Sequence, residues 1–573
     1  MDPSIALRHH WRTGYAVQVT RRELIASSFA VPLLAQETSA FNKLAEDYIQ
    51  YQLQARPESA TFLGDHRYDD RLSDLSPAAQ QRDLAKQREF LKRVQALNPA
   101  RLDPVSRVDA RILQAQIESA IWNETVSRDR DWNPMSYNPG FAVYFLVERE
   151  WAPLPQRLAK AQKRLEAVPA YLEQARRNLK TSTKIHAETA AAQTQGTITL
   201  FTTVLDAYLA KSPESKAALA PAQAKAVAAL KDWRDWIQKD LLPRANKDFR
   251  IGPELFRAKL RYTLGSDLSP AQIRERSLRD LKETQAAMRE TSQKISGSPN
   301  IKAVLDKLAE SRPNASSIVE LAQRDLVECT DFIRTHNLVS LYDSPLKIVE
   351  MPEFQRGVAV ASCASPGPLE KNGTTFFNIS PPPGTWNQAQ IDSYFREYNN
   401  SMTKNLVVHE AMPGHYLQRA HANRFKAPTL TRAIFASGTF TEGWAVYAEK
   451  LMADAGFGGP EVRMQQLKMR LRTIINALLD QAIHTESMTE QKAMDLMMNE
   501  GFQERSEAAG KWRRAQLTST QLSTYYAGTT ELDQLREDYV KKNGRIKDEK
   551  AFNDRMLSFG SPAPRYVREL MGL

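Results

Sequence analysis

A mainly α-helical protein, with one small β-sheet just ahead of a histidine-bearing helix, is the fold class this sequence predicts. Three observations carry it. From Phe41 to about Val327 the chain is a succession of amphipathic stretches, with apolar residues three and four apart as in helices that bury one face. Near residue 345 the pattern changes to short segments rich in β-branched and aromatic residues, bounded by Pro and Gly. Helical spacing then resumes and carries the remaining motifs.

Taken in order, the chain opens with Arg21 and Arg22 ahead of an apolar run over residues 24–35. The run is too short to cross a bilayer and ends in the small residue Ala35, so residues 1–35 read as an export signal resembling the twin-arginine type. A basic-ended helix of the fold is the competing reading. No cysteine follows the run, which argues against a lipoprotein, and a periplasmic protein is expected. Helices are predicted over 41–53, 77–97, 106–123, 154–179, 220–241 and 270–296. Asn98-Pro99, Asn133-Pro134 and Ser296-Gly297-Ser298-Pro299 mark loops between them. Ser269 followed by Pro270 suits a helix start, and Pro253 marks another. Strands are expected at 346–351, 357–363 and 374–379. Residues 372–378 are the candidate edge strand, with Asn378 as a substrate contact: an exposed edge recognises main-chain groups of an extended peptide, although a purely structural hairpin reads equally well.

The balance of residues narrows the partners. Hydrophobic residues make up 42% of the 573, enough for a sizeable core, and net charge is +11. Basic residues alternate with acidic ones along stretches such as 274–289 and form no aromatic-flanked blocks, so nucleic acid is not an expected partner. Beyond the leader no stretch approaches ~18 apolar residues, so no membrane-spanning helix is expected in the mature chain. The two cysteines, Cys329 and Cys363, either pair as one disulfide or remain thiols. Oligomeric state stays open.

Chemistry concentrates at Asn405–His415, where two histidines and a glutamate follow a short apolar run. His409 and His415 are six apart, and an unbroken helix would separate them by about 240°. Pro413-Gly414 removes that objection. Proline takes away a helical donor and glycine accepts unusual backbone angles, so the helix can break after Met412 and return His415 to His409. Two histidines suit a zinc ion, and Glu410 beside the first is placed to take a proton from the activated water. Glu442 and Glu449 follow on a further helix, seven apart and nearly on one face, and either could add a carboxylate ligand.

The combination HEAMPGH at 409–415 and TEGWAVYAE at 441–449 resembles a bacterial family of unknown function whose members carry HExxPGH and EGWAxYxE. That family looks like a branch of the gluzincin zinc metallopeptidases, and the similarity covers most of the chain from Arg56 onward. The resemblance implies two lobes, 36–340 and 341–573, around a cleft beside the small sheet. It assigns one Zn²⁺ to His409, His415 and Glu442, leaving Glu449 an outer position. Asp480 and His484 match a D-x-x-x-H segment, where a carboxylate-held histidine near zinc would suit transition-state stabilisation or the support of a ligand from behind. Arg514, Gln521, Tyr525 and Gly528 match a further segment. There Tyr525 is the expected oxyanion donor, Tyr526 its rival, and Arg514 the grip on a substrate carboxylate. Ala515, Ser519 and Thr520 depart from the family pattern and leave the shape of that loop open. His421 repeats the six-residue spacing without Pro-Gly or an adjacent carboxylate and is set aside, as are His66, His186 and His336. The expected activity is hydrolysis of short peptides. Hydrolysis of a non-peptide amide, or a metal-free periplasmic binding or scaffold role, are the alternatives.

Overall fold

Short polar caps and first-turn prolines set where the helices begin. The computed structural model describes residues 21–351, 360–370 and 373–573, with side chains from residue 35. Its first helix, α1 (Arg21–Ala55), carries the apolar run at 24–35 straight into Phe41 and Leu44; residues 1–20 of the leader lie outside the described residues. Ser76 caps α2 (Pro77–Gln95) and Asp103 caps α3 (Pro104–Trp122), which therefore starts two residues before the apolar periodicity becomes visible. Helices α4 (Leu154–Asn178) and α5 (Pro213–Trp236) pack together around Leu158, Leu165, Leu230 and Trp233. α5 opens at Pro213, ahead of the expected start, and tolerates Pro221 inside it. Ser269 and Gln272 form a reciprocal capping box at the head of α6 (Pro270–Ser296), and α7 (Ile318–His336) follows.

The sheet has three strands, β1 (Leu346–Glu350), β2 (Ala361–Ala364) and β3 (Thr375–Ile379), in the order β1-β3-β2. β1 runs parallel to β3 and β2 antiparallel to it. This corrects the edge assignment. β3 is hydrogen-bonded on both sides, so Asn378 pairs with Val349 and Ser362 and is 5% exposed, with no open edge to offer. Among the described residues β1 and β2 are the outer strands. Residues 357–359 of the expected second strand and 371–372 ahead of β3 lie outside the described residues.

Beyond the sheet come α8 (Gln388–Glu397), α9 (Asn400–Glu410), α10 (His415–Ala422), α11 (Gly438–Asp454), α12 (Gly459–Thr485), α13 (Arg505–Leu517) and α14 (Ser523–Asn543). The core does not divide at residue 340. α6 and α12 have 27 residues each, about 40 Å of helix, and α6 lays Ile273, Leu281 and Met288 into one cluster with Leu471, Ile474 and Ile475. α7 likewise joins Ile318 and Ile333 to Phe377, Leu406 and Val407. Cys329 in α7 and Cys363 in β2 are both free thiols. Among the described residues no helix is long and apolar enough to cross a membrane.

Candidate metal centre

α9 is started by Asn399, whose side chain accepts from the Met402 amide, and it ends at Glu410, two residues earlier than the sequence suggests. The reason is proline's reach. Pro413 brings no N–H, and its ring would strike the carbonyl four residues back, which belongs to His409. The chain therefore turns under the last carbonyls of α9, where the Gly414 amide donates to Val408 O at 2.9 Å. A Cβ on Gly414 would stand 1.8 Å from His409 O, so only glycine fits this return. The Trp444 indole donates to Pro413 O at 2.8 Å and pins the turn. α10 then starts at His415, whose ring stands 4.8 Å from that of His409, nearly perpendicular to it.

α11 supplies the carboxylates. Glu442 Oε2 lies 3.7 Å from His409 Nε2 and 3.5 Å from His415 Nε2. Two turns on, Glu449 Oε1 sits 2.6 Å from His409 Nδ1, while its Oε2 accepts from Asn405 Nδ2 at 2.8 Å. The imidazole of His409 is thus held from behind with Nε2 turned toward Glu442 and His415. Burial alone would lower the pKa of His409, but Glu442 and Glu449 outweigh it and hold it well above the usual range. Burial alone would likewise raise that of Glu442, and the two imidazoles instead hold it far below a normal carboxyl.

The donor atoms of His409, His415 and Glu442 lie within 4.8 Å of one another. Glu442 Oε2 and His415 Nδ1 are buried and have no hydrogen-bond partner. An orphaned buried carboxylate oxygen facing two imidazole nitrogens suits a cation, and two nitrogens with one oxygen are the donor set of a zinc site that keeps one position open. The residues fit the ion. Glu410, its carboxyl pushed up by burial, lines the same cavity, which has a volume of about 390 Å³. Val360, Ala361, Ser362 and Cys363, from β2 and the residue before it, form part of its wall.

Tyr525 also lines this cavity, and a second close approach places it there. A Cβ on Gly528 would meet Thr439 O at 2.0 Å, and Gly443 and Gly528 touch backbone to backbone, so α11 and α14 cross tightly just beyond Glu442. Arg514 Nη2 donates to Tyr525 Oη at 3.1 Å and to Gln521 Oε1 at 2.8 Å. Burial and then the charge of Glu442 raise the pKa of Tyr525, which keeps the phenol protonated. Its rival Tyr526 points away and donates to Asp280 at 2.9 Å.

His484 and Asp480 are not brought to this centre. Asp480 accepts from the Thr520 amide and from the amide and hydroxyl of Ser523, capping α14. His484 Nε2 lies 3.0 Å from Ala515 O and 2.8 Å from Thr518 O, and the ring lines a different cavity, with His186 and Lys259. The two residues are one turn apart but serve the 515–523 loop instead of each other. They shape the segment between Arg514 and Tyr525 and do not face His409, His415 and Glu442. His421 is bound to Ser340 O. His66, set aside on sequence, stands between Asp69 at 2.7 Å and Glu370 at 3.2 Å and stacks on Trp151.

A helical protein whose kinked helix pair and following helix bring two histidines and a glutamate to one point is the class this fold and centre define. The chain belongs to the family described as bacterial protein of unknown function (DUF885), whose model matches residues 57–571. It is similar, at 31% identity, to a solved structure from Shewanella oneidensis described as that of "a putative lipoprotein of unknown function". That match covers 93% of this chain and 100% of the other, with a TM-score of 0.78. The crystal structure of a "putative lipoprotein" from Colwellia psychrerythraea shares the fold at 17% identity and a TM-score of 0.76, over 94% of this chain and 98% of that one. No match was found among curated proteins.

Proposed function

We propose that this protein is a zinc-dependent hydrolase, a metallopeptidase acting on short peptides. One observation carries the proposal. His409, His415 and Glu442 converge with a buried, partnerless Glu442 oxygen between them, beside Glu410 in one cavity. The resemblance of HEAMPGH and TEGWAVYAE to the gluzincin peptidases supports it. Zinc held by these three residues supplies Lewis acidity, which acidifies water and polarises a carbonyl. The chain's own residues then have distinct tasks. Glu449 holds His409 in the tautomer that leaves Nε2 to the metal. Glu410 takes a proton from water and passes it to the leaving amine, and its burial raises its basicity for that exchange. Because Arg514 donates to Tyr525 Oη, the phenol proton is free to hydrogen-bond an oxygen on which negative charge develops. β2, an outer strand lining the cavity, would offer main-chain groups to an extended peptide. A cavity of about 390 Å³ holds a short peptide segment and excludes a folded protein. Export is part of the same proposal, supported by Arg21-Arg22 with the apolar run and by the description of the Shewanella relative.

Elemental analysis of the purified protein is expected to find one equivalent of zinc. Glu410→Gln should keep that zinc and lose cleavage of a mixed peptide library, read by mass spectrometry, by about 10²–10⁴-fold. A zinc-free protein whose melting ignores chelators, or a fully active Glu410→Gln, overturns the proposal. Cleavage of N-acyl small amides without cleavage of peptides changes only the substrate class.

A further inference from the structure

The cavity that holds the metal ligands has a second chemical end, built on α13 and α12. α13 carries Glu507, Lys511 and Arg514 at spacings of four and three, on one face, and all three line the cavity. Arg472 comes to the same place from α12. The carboxylates that serve this end, Glu397 and Glu507, are already engaged. Glu397 accepts from Lys468 at 2.8 Å, Arg472 at 3.1 Å and the Glu504 amide at 2.9 Å. Glu507 pairs with Arg472 at 3.1 Å and accepts from the Tyr398 hydroxyl at 2.9 Å. Three cations, Lys468, Arg472 and Lys511, thus share two carboxylates, and Arg514 feels the charge of Glu442 and Glu507 without an ion pair of its own among the described residues.

The surplus falls on Lys511 and Arg514. Lys511 is 8% exposed, makes no hydrogen bond among the described residues, and stands 3.8 Å from Glu507. Arg514 has no carboxylate within ion-pair distance among the described residues; its two side-chain partners, Gln521 and Tyr525, are neutral. A buried ammonium without a hydrogen-bonded counterion is unfavourable. Its burial, with Arg514 and Arg472 close by, pushes the pKa of Lys511 down to about 7. Its one ion pair, with Glu507, is long, and Glu507 is already shared with Arg472.

We infer that Lys511 and Arg514 form a subsite for a carboxylate of the substrate, and that a peptide's free C-terminus is the group it takes. Arg514 links the subsite to the active end, because the guanidinium that would meet the carboxylate also holds Tyr525. The carboxylate therefore binds a short span from the bond that is cut, and substrates are trimmed from the C-terminal end. This rests on the hydrolase proposal above and names its substrate class.

Binding tests it separately from turnover. Zinc-supplemented Glu410→Gln protein is titrated calorimetrically with four short peptides of one sequence, ending in Glu or Gln and each as the free acid or the C-terminal amide. The free acids are expected to bind about tenfold or more tightly than the amides, whichever the last side chain. Adding Lys511→Met should abolish that difference and leave amide affinity unchanged, whereas Lys511→Arg should keep it. Should Lys511→Met fail to fold, Lys511→Gln is read in the same way. A preference for Glu over Gln in place of acid over amide overturns the assignment of the C-terminus. Equal affinity for all four peptides, no binding of any, or an acid preference that survives Lys511→Met overturns the inference. Failure of the hydrolase proposal appears elsewhere, as absent zinc or absent turnover in the unaltered protein.

Discussion

Replacing Glu449 by Gln keeps the shape of the side chain and removes its charge, and the consequence for zinc can be worked from three distances. Glu449 is 1% exposed; one oxygen lies 2.6 Å from His409 Nδ1 and the other accepts from Asn405 at 2.8 Å. A hydrogen bond to a charged group contributes about 1.5–3 kcal/mol and a neutral one about 0.5–1.5. The exchange therefore costs about 1–1.5 kcal/mol of ring orientation, and about 1.4 kcal/mol is tenfold in affinity. If the amide turns its N–H to Nδ1, the proton moves to Nε2, the nitrogen 3.7 Å from Glu442, and the loss approaches about 100-fold. Competition against a chromophoric zinc chelator at fixed pH measures the change, with circular dichroism confirming the fold. A folded Glu449→Gln protein with undiminished zinc affinity would refute the idea that this carboxylate aims His409.

Two further outcomes follow from the same geometry. Gly528→Ala places a methyl 2.0 Å from Thr439 O, so α11 and α14 must separate. Overpacking of this kind costs about 1–3 kcal/mol. Thermal melts should show the loss, and turnover should fall with Tyr525 withdrawn while zinc is retained; an unchanged melt would refute the tight crossing. Zinc uptake should release a proton. The raised pKa of His409 stabilises the metal-free fold fully below the ordinary histidine value of about 6.5, and that contribution fades as pH rises through the folded value. Zinc needs the same nitrogen unprotonated, so its affinity should climb about tenfold per pH unit over that window. Calorimetry in buffers of differing ionisation enthalpy checks this, and heats independent of buffer would show a neutral His409.

Local patterns in the sequence carried the helical class and the cap at Ser269, and two compact motifs held the three side chains that the fold brings together, although the choice of Glu442 over Glu449 came from the family resemblance. The helix break was misplaced by two residues, since proline acts on the carbonyl four back and not on its immediate neighbour. Strand order was not legible, because the pairing of β1 with β3 skips the intervening strand and nothing in Asn378's neighbourhood records it. Asp480 and His484 made a plausible local pair, yet their partners lie some 31 to 43 positions later. His66 was overlooked for the same reason, with Glu370 at a separation of 304. Asn405 is different. It sits one turn before His409 on the same helix, and that spacing was available as a sign that something behind the ring needed holding.

The shared cluster between α6 and α12 has a practical consequence for anyone dissecting this protein. One flank of α12 rests on α6, while its Arg472, Thr473 and Asn476 look into the cavity, so the first half of the chain is the backing on which that cavity is mounted. A cut at 340 would strip oily surface from both fragments at once and invite them to aggregate. Chimaeras with relatives should exchange 270–296 and 459–485 as a linked cassette, however far apart the two lie along the gene.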